Sequence, residues 1–282
     1  DGAIGKQTLA AMNVTVEDRI NQLNVNMERY RWLKRDIAGP RVAVNIAGFE
    51  AFAGEQGKID LFMPVIVGKL RHETPVFSDT IKYVDFNPYW TLPPNIAANE
   101  TLPKLKKDSL YLKKHNMKLF DGWGSDSKEV DATKIDWSKV TKKDMKQYRV
   151  RQEPGPENAL GTLKVVFPNK YDVYLHDTPT HSLFKEEKRA FSHGCIRKSR
   201  PAEMAAWLLG GKDKGWDIER ISEIVKSGER KVVKLEKPIP IHILYRTAFV
   251  DTSTNTLNFY EDVYGRDKIL ARACCPKAKA QP

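Results

Sequence analysis

The chain has 282 residues, 41% of them hydrophobic and 10% aromatic, which is enough apolar material for one large domain or two ordinary ones and too much for wholesale disorder. Lys and Arg number 47 against 36 Asp and Glu, a net charge of +11. That balance favours polyanions, whether nucleic acid, acidic lipid or an anionic polymer such as a cell wall; because the lysines are spread along the chain and no nucleic-acid motif is present, nucleic acid is the weaker reading. No stretch reaches the roughly 18 consecutive apolar residues of a membrane span, and three cysteines do not make a disulfide framework.

Taken in chain order, "DGAIGKQTLAAMNV" reads as a turn and a short helix with Leu9, Ala10 and Met12 on its apolar side. An amphipathic connecting helix follows, its apolar positions Ile20, Leu23, Val25, Met27, Tyr30 and Leu33 lying largely at helical spacing. "RVAVNIA" (41–47) and "KIDLFMPVIVGK" (58–69) read as a hairpin across a turn-like "GFEAFAGEQG". The run from Thr80 starts as a strand and breaks into a shaped loop at Pro88, Pro93 and Pro94. Residues 99–157 are lysine-rich and irregular yet hold Trp123, Trp137 and Tyr148. A long insertion of this kind is usually functional, and a lid resting on the rest of the molecule is expected.

Beyond the insertion, 161–179 reads as two strands in a tight hairpin through Pro168, Asn169 and Lys170. A helix follows at 201–211, with Pro201 in its first turn and Gly210-Gly211 stopping it. Another is capped by Asp217 and presents Ile218, Ile221, Ile224 and Val225 on one face. Two β runs, joined through Pro238 and Pro240, close the chain. Cys274 and Cys275 sit in a terminal segment expected to be frayed and without chemical role. The sum is an α+β fold, mainly β.

The chemistry gathers in "HDTPTHSLFKEEKRAFSHGCIRKSRP", residues 176–201. Gly194 lets the backbone turn sharply beside Cys195 and leaves amides free to serve as oxyanion donors. Arg197 and the N-terminus of the following helix favour thiolate over thiol, against a free cysteine pKa of about 8.5. Two bases compete. His193, two residues from Cys195, is about 7 Å away by strand rise and needs a bend to reach it. His176 is on the preceding strand, where a cross-strand pair brings Cβ atoms to about 5 Å. His176 is therefore read as general base, and His193 as shaping the oxyanion loop or holding a substrate carboxylate. A zinc site from His176, His193 and Cys195 lacks a paired ligand spacing and a fourth ligand, so no metal and no cofactor is expected. His72, His115, His181 and His242 read as ordinary histidines.

"HDTP" with "SHGCIR" resembles the active-site signature of the L,D-transpeptidases, the YkuD-type cysteine enzymes of peptidoglycan maturation. Fifteen residues separate His176 from Ser192, a spacer length the family allows. "FNPYWTLPPNIA" and "PGPENALGTLKVVFPN" resemble further family segments, and "DGAIGKQT" is similar to the last helix of a peptidoglycan-binding module. Lys198 stands where many members have Asn.

The resemblance implies a YkuD-like β-sandwich at 39–98 and 158–270, a capping subdomain at 99–157, a module remnant at 1–14, a connecting helix at 15–38 and a flexible tail at 271–282. It also implies a Cys195 thioester, loss of D-Ala from a tetrapeptide stem, and a 3→3 cross-link to a second stem. His176 would serve as base, with backbone amides near His193, Gly194 and Cys195 as oxyanion donors and a carbonyl at or near Asp177 orienting His176. Ser192 belongs to the signature, and Tyr174 would line the pocket. Arg197 either pairs with a stem carboxylate or braces the loop, and Trp90 is a pocket wall or a core residue. The implied partners are peptidoglycan tetrapeptide stems and carbapenem-type β-lactams; the implied compartment is the periplasm, with any export signal upstream. The rival readings are an L,D-carboxypeptidase or cysteine peptidase passing the acyl group to water, and a non-catalytic wall-binding protein.

Overall fold

The computed structural model describes residues 4–33, 38–251 and 254–274. Its centre is a nine-stranded mixed sheet in the order β11-β3-β12-β10-β9-β4-β13-β1-β2. The strands are β1 (Arg41–Asn45), β2 (Glu50–Glu55), β3 (Lys58–Gly68), β4 (Phe77–Phe86), β9 (Leu163–Val166), β10 (Leu175–His176), β11 (Ala190–Ser192), β12 (Ile196–Lys198) and β13 (Lys231–Leu244). Because β2 also pairs with β3, the two walls of the expected sandwich are one continuous sheet that closes on itself and so leaves few open edges. Val42, Val44, Ile81, Val84, Leu163, Val165, Leu175, Ile196, Ile241 and Ile243 fill its interior, all fully buried. Val42/Val44, Leu163/Val165 and Ile241/Ile243 recur at every second position, as one inward face of a pleated sheet requires, while Ile81 and Val84 are three apart across the register shift between β4 and β13.

Two helices pack on this core. Pro201–Leu209 starts with Pro201 at its first turn and stops at Gly210, whose φ of +96° is the left-handed cap glycine tolerates. Ile218–Lys226 is capped by the Asp217 carboxylate, which accepts from the Arg220 N–H at 2.9 Å. Met204, Ala205, Leu208 and Ile221 are their buried contributions.

Several local expectations change. "EAFAGE" is not a turn but strand β2, so 41–68 is a three-stranded meander. The loop between β9 and β10 is no tight hairpin: Asn169 organises residues 167–173 through bonds to the carbonyls of Phe167 and Val173 and from the N–H of Tyr171. Strand β13 runs straight through Pro238 and Pro240. Its pairing with β4 shifts register between Lys234 and Ile239, and β1 joins only at Ile241, so the prolines fall where one flank of the strand is unpaired.

In the helix Val16–Arg31 the buried residues are Val25 and Asn26, while Ile20, Met27 and Tyr30 are exposed. Polar anchors hold it: Gln22 and Asn26 donate to Thr247, and Arg29 pairs with Asp267 at 2.6 Å. Leu9 and Met12 are exposed as well. A helix at Arg266–Cys274 carries order into the segment expected to be tail; Cys275 lies outside the described residues.

Between Leu92 and Val150 a second apolar cluster forms around Leu105, Leu112, Trp137 and Met145. A separate four-stranded sheet accompanies it, β5 (Trp90–Thr91), β8 (Arg149–Gln152), β6 (Met117–Phe120) and β7 (Glu129–Val130), in the order β5-β8-β6-β7. The insertion thus has its own core.

Candidate active site

Strands β10 and β12 are parallel neighbours, with Leu175 opposite Ile196 and His176 opposite Arg197. Leu175 and Ile196 point into the core, so Tyr174, His176, Cys195 and Arg197 share the other face. The Ile196 N–H donates to the Tyr174 carbonyl at 3.1 Å, which sets Cys195 level with Tyr174 and one pleat away from His176. The expected direct cross-strand pair of Cys195 and His176 is therefore a diagonal one. No hydrogen bond joins them among the described residues; the thiol donates instead to the Asp172 carbonyl at 3.6 Å.

His176 is buried. Its Nδ1 lies 2.5 Å from the Asp177 carbonyl, an acceptor only, so Nδ1 carries the proton and Nε2 keeps its lone pair. Burial first, then the Arg197 charge, pushes the imidazole down to about 3, and it is neutral at physiological pH. The Asp177 carboxylate is itself buried and accepts from the Thr162 N–H and hydroxyl at 2.9 and 2.8 Å. Lys198, fully buried on the core side, has no hydrogen-bond partner on Nζ; burial pushes its amine down to about 7 against the pull of Asp177.

Cys195 is half-buried, and the expected tilt towards thiolate is reversed. Burial pushes the thiol up and outweighs the Tyr174 N–H, the Tyr174 hydroxyl and the Lys164 charge, all of which favour the anion. The turn that presents the thiol is closed by Ser192, whose hydroxyl donates to the Cys195 carbonyl at 2.5 Å and accepts from the Gly194 N–H at 3.1 Å. Gly194 has φ +115°, a conformation L side chains rarely adopt.

Its N–H is thus occupied by Ser192 and is not the free oxyanion donor expected, whereas the Cys195 N–H has no partner among the described residues. Thr74 braces the turn from behind. Its hydroxyl donates to the Gly194 carbonyl at 2.8 Å and accepts from the Gly68 N–H at 2.9 Å, and the Tyr264 hydroxyl links Thr74 to the Gly68 carbonyl. Nothing in the local sequence marks Thr74 or Tyr264, because both reach the turn from distant segments.

His193 points away from the thiol pocket. Its Nε2 lies 2.7 Å from a Glu100 carboxylate oxygen supplied by the insertion and 3.4 Å from Lys69 Nζ, and its ring is 4.9 Å from that of His72. His72 is therefore not isolated: though exposed, it is held below its ordinary pKa by local desolvation, His193 and Lys69. Of the other histidines, His242 meets the Ser78 hydroxyl at 2.8 Å and His115 the Tyr111 carbonyl at 2.8 Å. His181 Nε2 is 3.7 Å from Asp177. Among the described residues no group of three or more His, Cys, Asp or Glu is placed to hold a metal.

Lys164 is the main residue that sequence reasoning missed. It is opposite His176 in the β9–β10 register, and its Nζ sits 3.8 Å from the centroid of the Tyr174 ring. The Tyr174 ring meets His176 edge-on at 5.6 Å. Its phenol is driven far up, by burial first and then by Cys195, and accepts a bond from Trp90 that works against this. Trp90, half-buried at the start of β5, packs against the second apolar cluster and so lies between that core and Tyr174. Only strand alternation relative to His176 could have flagged Lys164, and that needs the register of β9 against β10.

A thiol beside a neutral imidazole with an open Nε2 and an unengaged backbone N–H is the equipment of cysteine nucleophiles served by a histidine base. The family model for the YkuD L,D-transpeptidase catalytic domain matches residues 39–233. A protein of Haemophilus influenzae named "Putative L,D-transpeptidase" is 32% identical over 268 residues, covering 93% of this chain and 52% of that protein. The chain belongs to the L,D-transpeptidase family, and it spans about half the length of this curated relative.

Two solved structures are also similar. The L,D-transpeptidase from Mycobacterium smegmatis is 15% identical, with 73% of this chain and 59% of that chain covered and a TM-score of 0.35. L,D-transpeptidase 3 from Mycobacterium tuberculosis with a faropenem-derived adduct is 14% identical, with 73% and 60% covered and a TM-score of 0.32. Membership rests on the first two matches. No helix among the described residues is long and apolar enough to cross a membrane.

Proposed function

We propose that this chain is the catalytic part of an L,D-transpeptidase that joins peptidoglycan stems by 3→3 cross-links in the periplasm. The observation that carries the reading is the buried His176, held as the Nδ1–H tautomer by the Asp177 carbonyl on the strand beside Cys195. Because the thiol is pushed up and the imidazole pushed down, a resting thiolate–imidazolium pair is disfavoured. The proton leaves as the substrate is attacked, after the Cys195 side chain turns from Asp172 towards His176; such bonds commonly tighten only in the substrate complex.

In the proposed cycle, sulfur adds to the carbonyl between diaminopimelate and the fourth-position D-Ala of a tetrapeptide stem while His176 Nε2 takes the thiol proton. The Cys195 N–H stabilises the oxyanion. The C–N bond then breaks, His176 returns its proton to the departing D-Ala amine, and a thioester remains. The side-chain amine of a second stem attacks the thioester and gives its proton to His176, the C–S bond breaks as the new amide forms, and His176 passes that proton to sulfur to regenerate the thiol. The insertion covers the thioester and excludes water, which favours amine acceptors over hydrolysis.

The test is intact mass after incubation with a carbapenem, since an L,D-transpeptidase has been solved with imipenem. Wild type is expected to gain the mass of the inhibitor and Cys195→Ser to gain none. An unmodified wild type overturns the acyl-transfer reading. With tetrapeptide stems, cross-linked dimers are expected; tripeptides alone would make the protein an L,D-carboxypeptidase.

A further inference from the structure

On the face that presents Cys195, three strands place three side chains in one row: Lys164 on β9, His176 on β10 and Arg197 on β12. The imidazole therefore has a cation on each side. Both cations are half-buried, and among the described residues neither has a carboxylate within ion-pair distance. Lys164 rests on the Tyr174 ring, and Arg197 has a buried Nε with no hydrogen-bond partner.

The acid beside Lys164 in register, Asp85 on β4, is committed elsewhere. Both of its oxygens are held at 2.9 Å by the Arg230 guanidinium. Two cations withdrawn from water without an anion are costly for the fold. An arrangement of this kind is suited to an anionic ligand that completes it, and the planar guanidinium suits a carboxylate.

We propose that Lys164 and Arg197 form a carboxylate-binding site in the donor cleft, which selects acyl donors with a carboxylate close to the carbonyl that Cys195 attacks. The assignment of the carboxylate to an acyl donor rests on the transpeptidase reading; the existence of the anion site does not. Two donor groups fit the chemistry: the terminal carboxylate of the leaving amino acid, and the second carboxylate of the diamino acid that is acylated.

The test uses a charged and a neutral reagent of the same size. Iodoacetate and iodoacetamide both alkylate Cys195, forming an S–CH2 bond and releasing iodide, and neither needs acyl transfer. In wild type the ratio of the two rates reports the cations beside the sulfur. Lys164→Met is expected to lower the iodoacetate-to-iodoacetamide ratio by about tenfold, the scale of one charge-assisted hydrogen bond. Because the Lys164 charge also favours the thiolate, the iodoacetamide rate should fall as well but less than the iodoacetate rate, and Lys164→Arg should restore the ratio. Lys164→Gln, read alongside, guards against a folding defect in one variant.

An unchanged ratio in both neutral variants overturns the proposal. So does an equal fall in both rates, which would mean that Lys164 acts on the thiolate and not on the ligand. The source of the carboxylate is read from acylation by tetrapeptides ending in D-alanine or D-alaninamide, and by stems with diaminopimelate or lysine at the third position. Loss of discrimination in Lys164→Met is expected for one of these pairs; equal discrimination in variant and wild type for both overturns the donor assignment. A wild type that shows the alkylation ratio yet takes no mass from imipenem would sink the acyl-transfer reading alone.

Discussion

The strand pair β10–β12 and the turn at 192–195 each bring a histidine to within two sequence positions of Cys195 or its strand neighbour, and they treat it in opposite ways. His176 is buried in the closed sheet, stripped of water, and fixed in one tautomer by a backbone carbonyl. His193 sits at the surface, turned to Glu100 of the insertion with Lys69 and His72 around it. Two residues from the thiol, His193 is still drawn to the insertion, whereas a place on the adjacent strand and one backbone carbonyl fix which nitrogen of His176 is free.

The largest effect that sharpens this contrast is on acylation. His176→Gln is expected to lower the second-order rate of carbapenem acylation by about 10²- to 10⁴-fold, the usual contribution of a positioned base. His193→Gln should lose less than about tenfold. Time-resolved intact mass measures both, and a larger loss in the second variant would reverse the assignment.

Next is the acid limb of stability. His176 has a folded-state pKa of about 3 against an ordinary value of 6.5, so between these values the unfolded chain binds the extra proton. Stability from this group is fully present above pH 6.5 and falls as pH drops towards 3. Urea unfolding at intervals from pH 7 to 4 should show a steeper decline in wild type than in His176→Gln, and parallel declines would refute the buried neutral imidazole.

The brace behind the turn gives a smaller effect. Thr74→Val keeps the shape but removes the hydroxyl that bonds Gly194 and Gly68, and should cost about 1–3 kcal/mol, read as a lower midpoint in chemical denaturation. The smallest concerns the insertion. Glu100→Gln alters an exposed hydrogen bond with His193 worth about 0–1 kcal/mol, so acylation should change by less than about fivefold. A much larger loss would show that the insertion governs the catalytic turn directly.

Much of this arrangement is legible without coordinates because its signals are local. The Asp217 cap, the Pro201 start and Gly210 stop, and the glycine before Cys195 each depend on residues a few positions apart, and the His176-to-Ser192 spacing is a fixed count within one short stretch of chain. The failures share one cause. The helix Val16–Arg31 has an apolar stripe, yet the face that docks is the polar one through Gln22, Asn26 and Arg29, because the surface awaiting it offers carbonyls and carboxylates. Strand β13 passes through two prolines because its neighbour β1 joins only beyond them. Reading either correctly requires knowing what lies opposite.

The sequence by itself determined the residue types of the site, the strands and turn that carry them, and the β-rich α+β class, since propensity, capping and motif spacing act over short stretches of chain. Only the tertiary structure decided that Cys195 lies level with Tyr174, that Lys164 and Arg197 flank the imidazole, that Ser192 occupies the Gly194 N–H, and that His193 faces the insertion. Those outcomes follow from strand register and burial, which are set by contacts between segments far apart in the chain and which fix both the direction of each side chain and the water it loses.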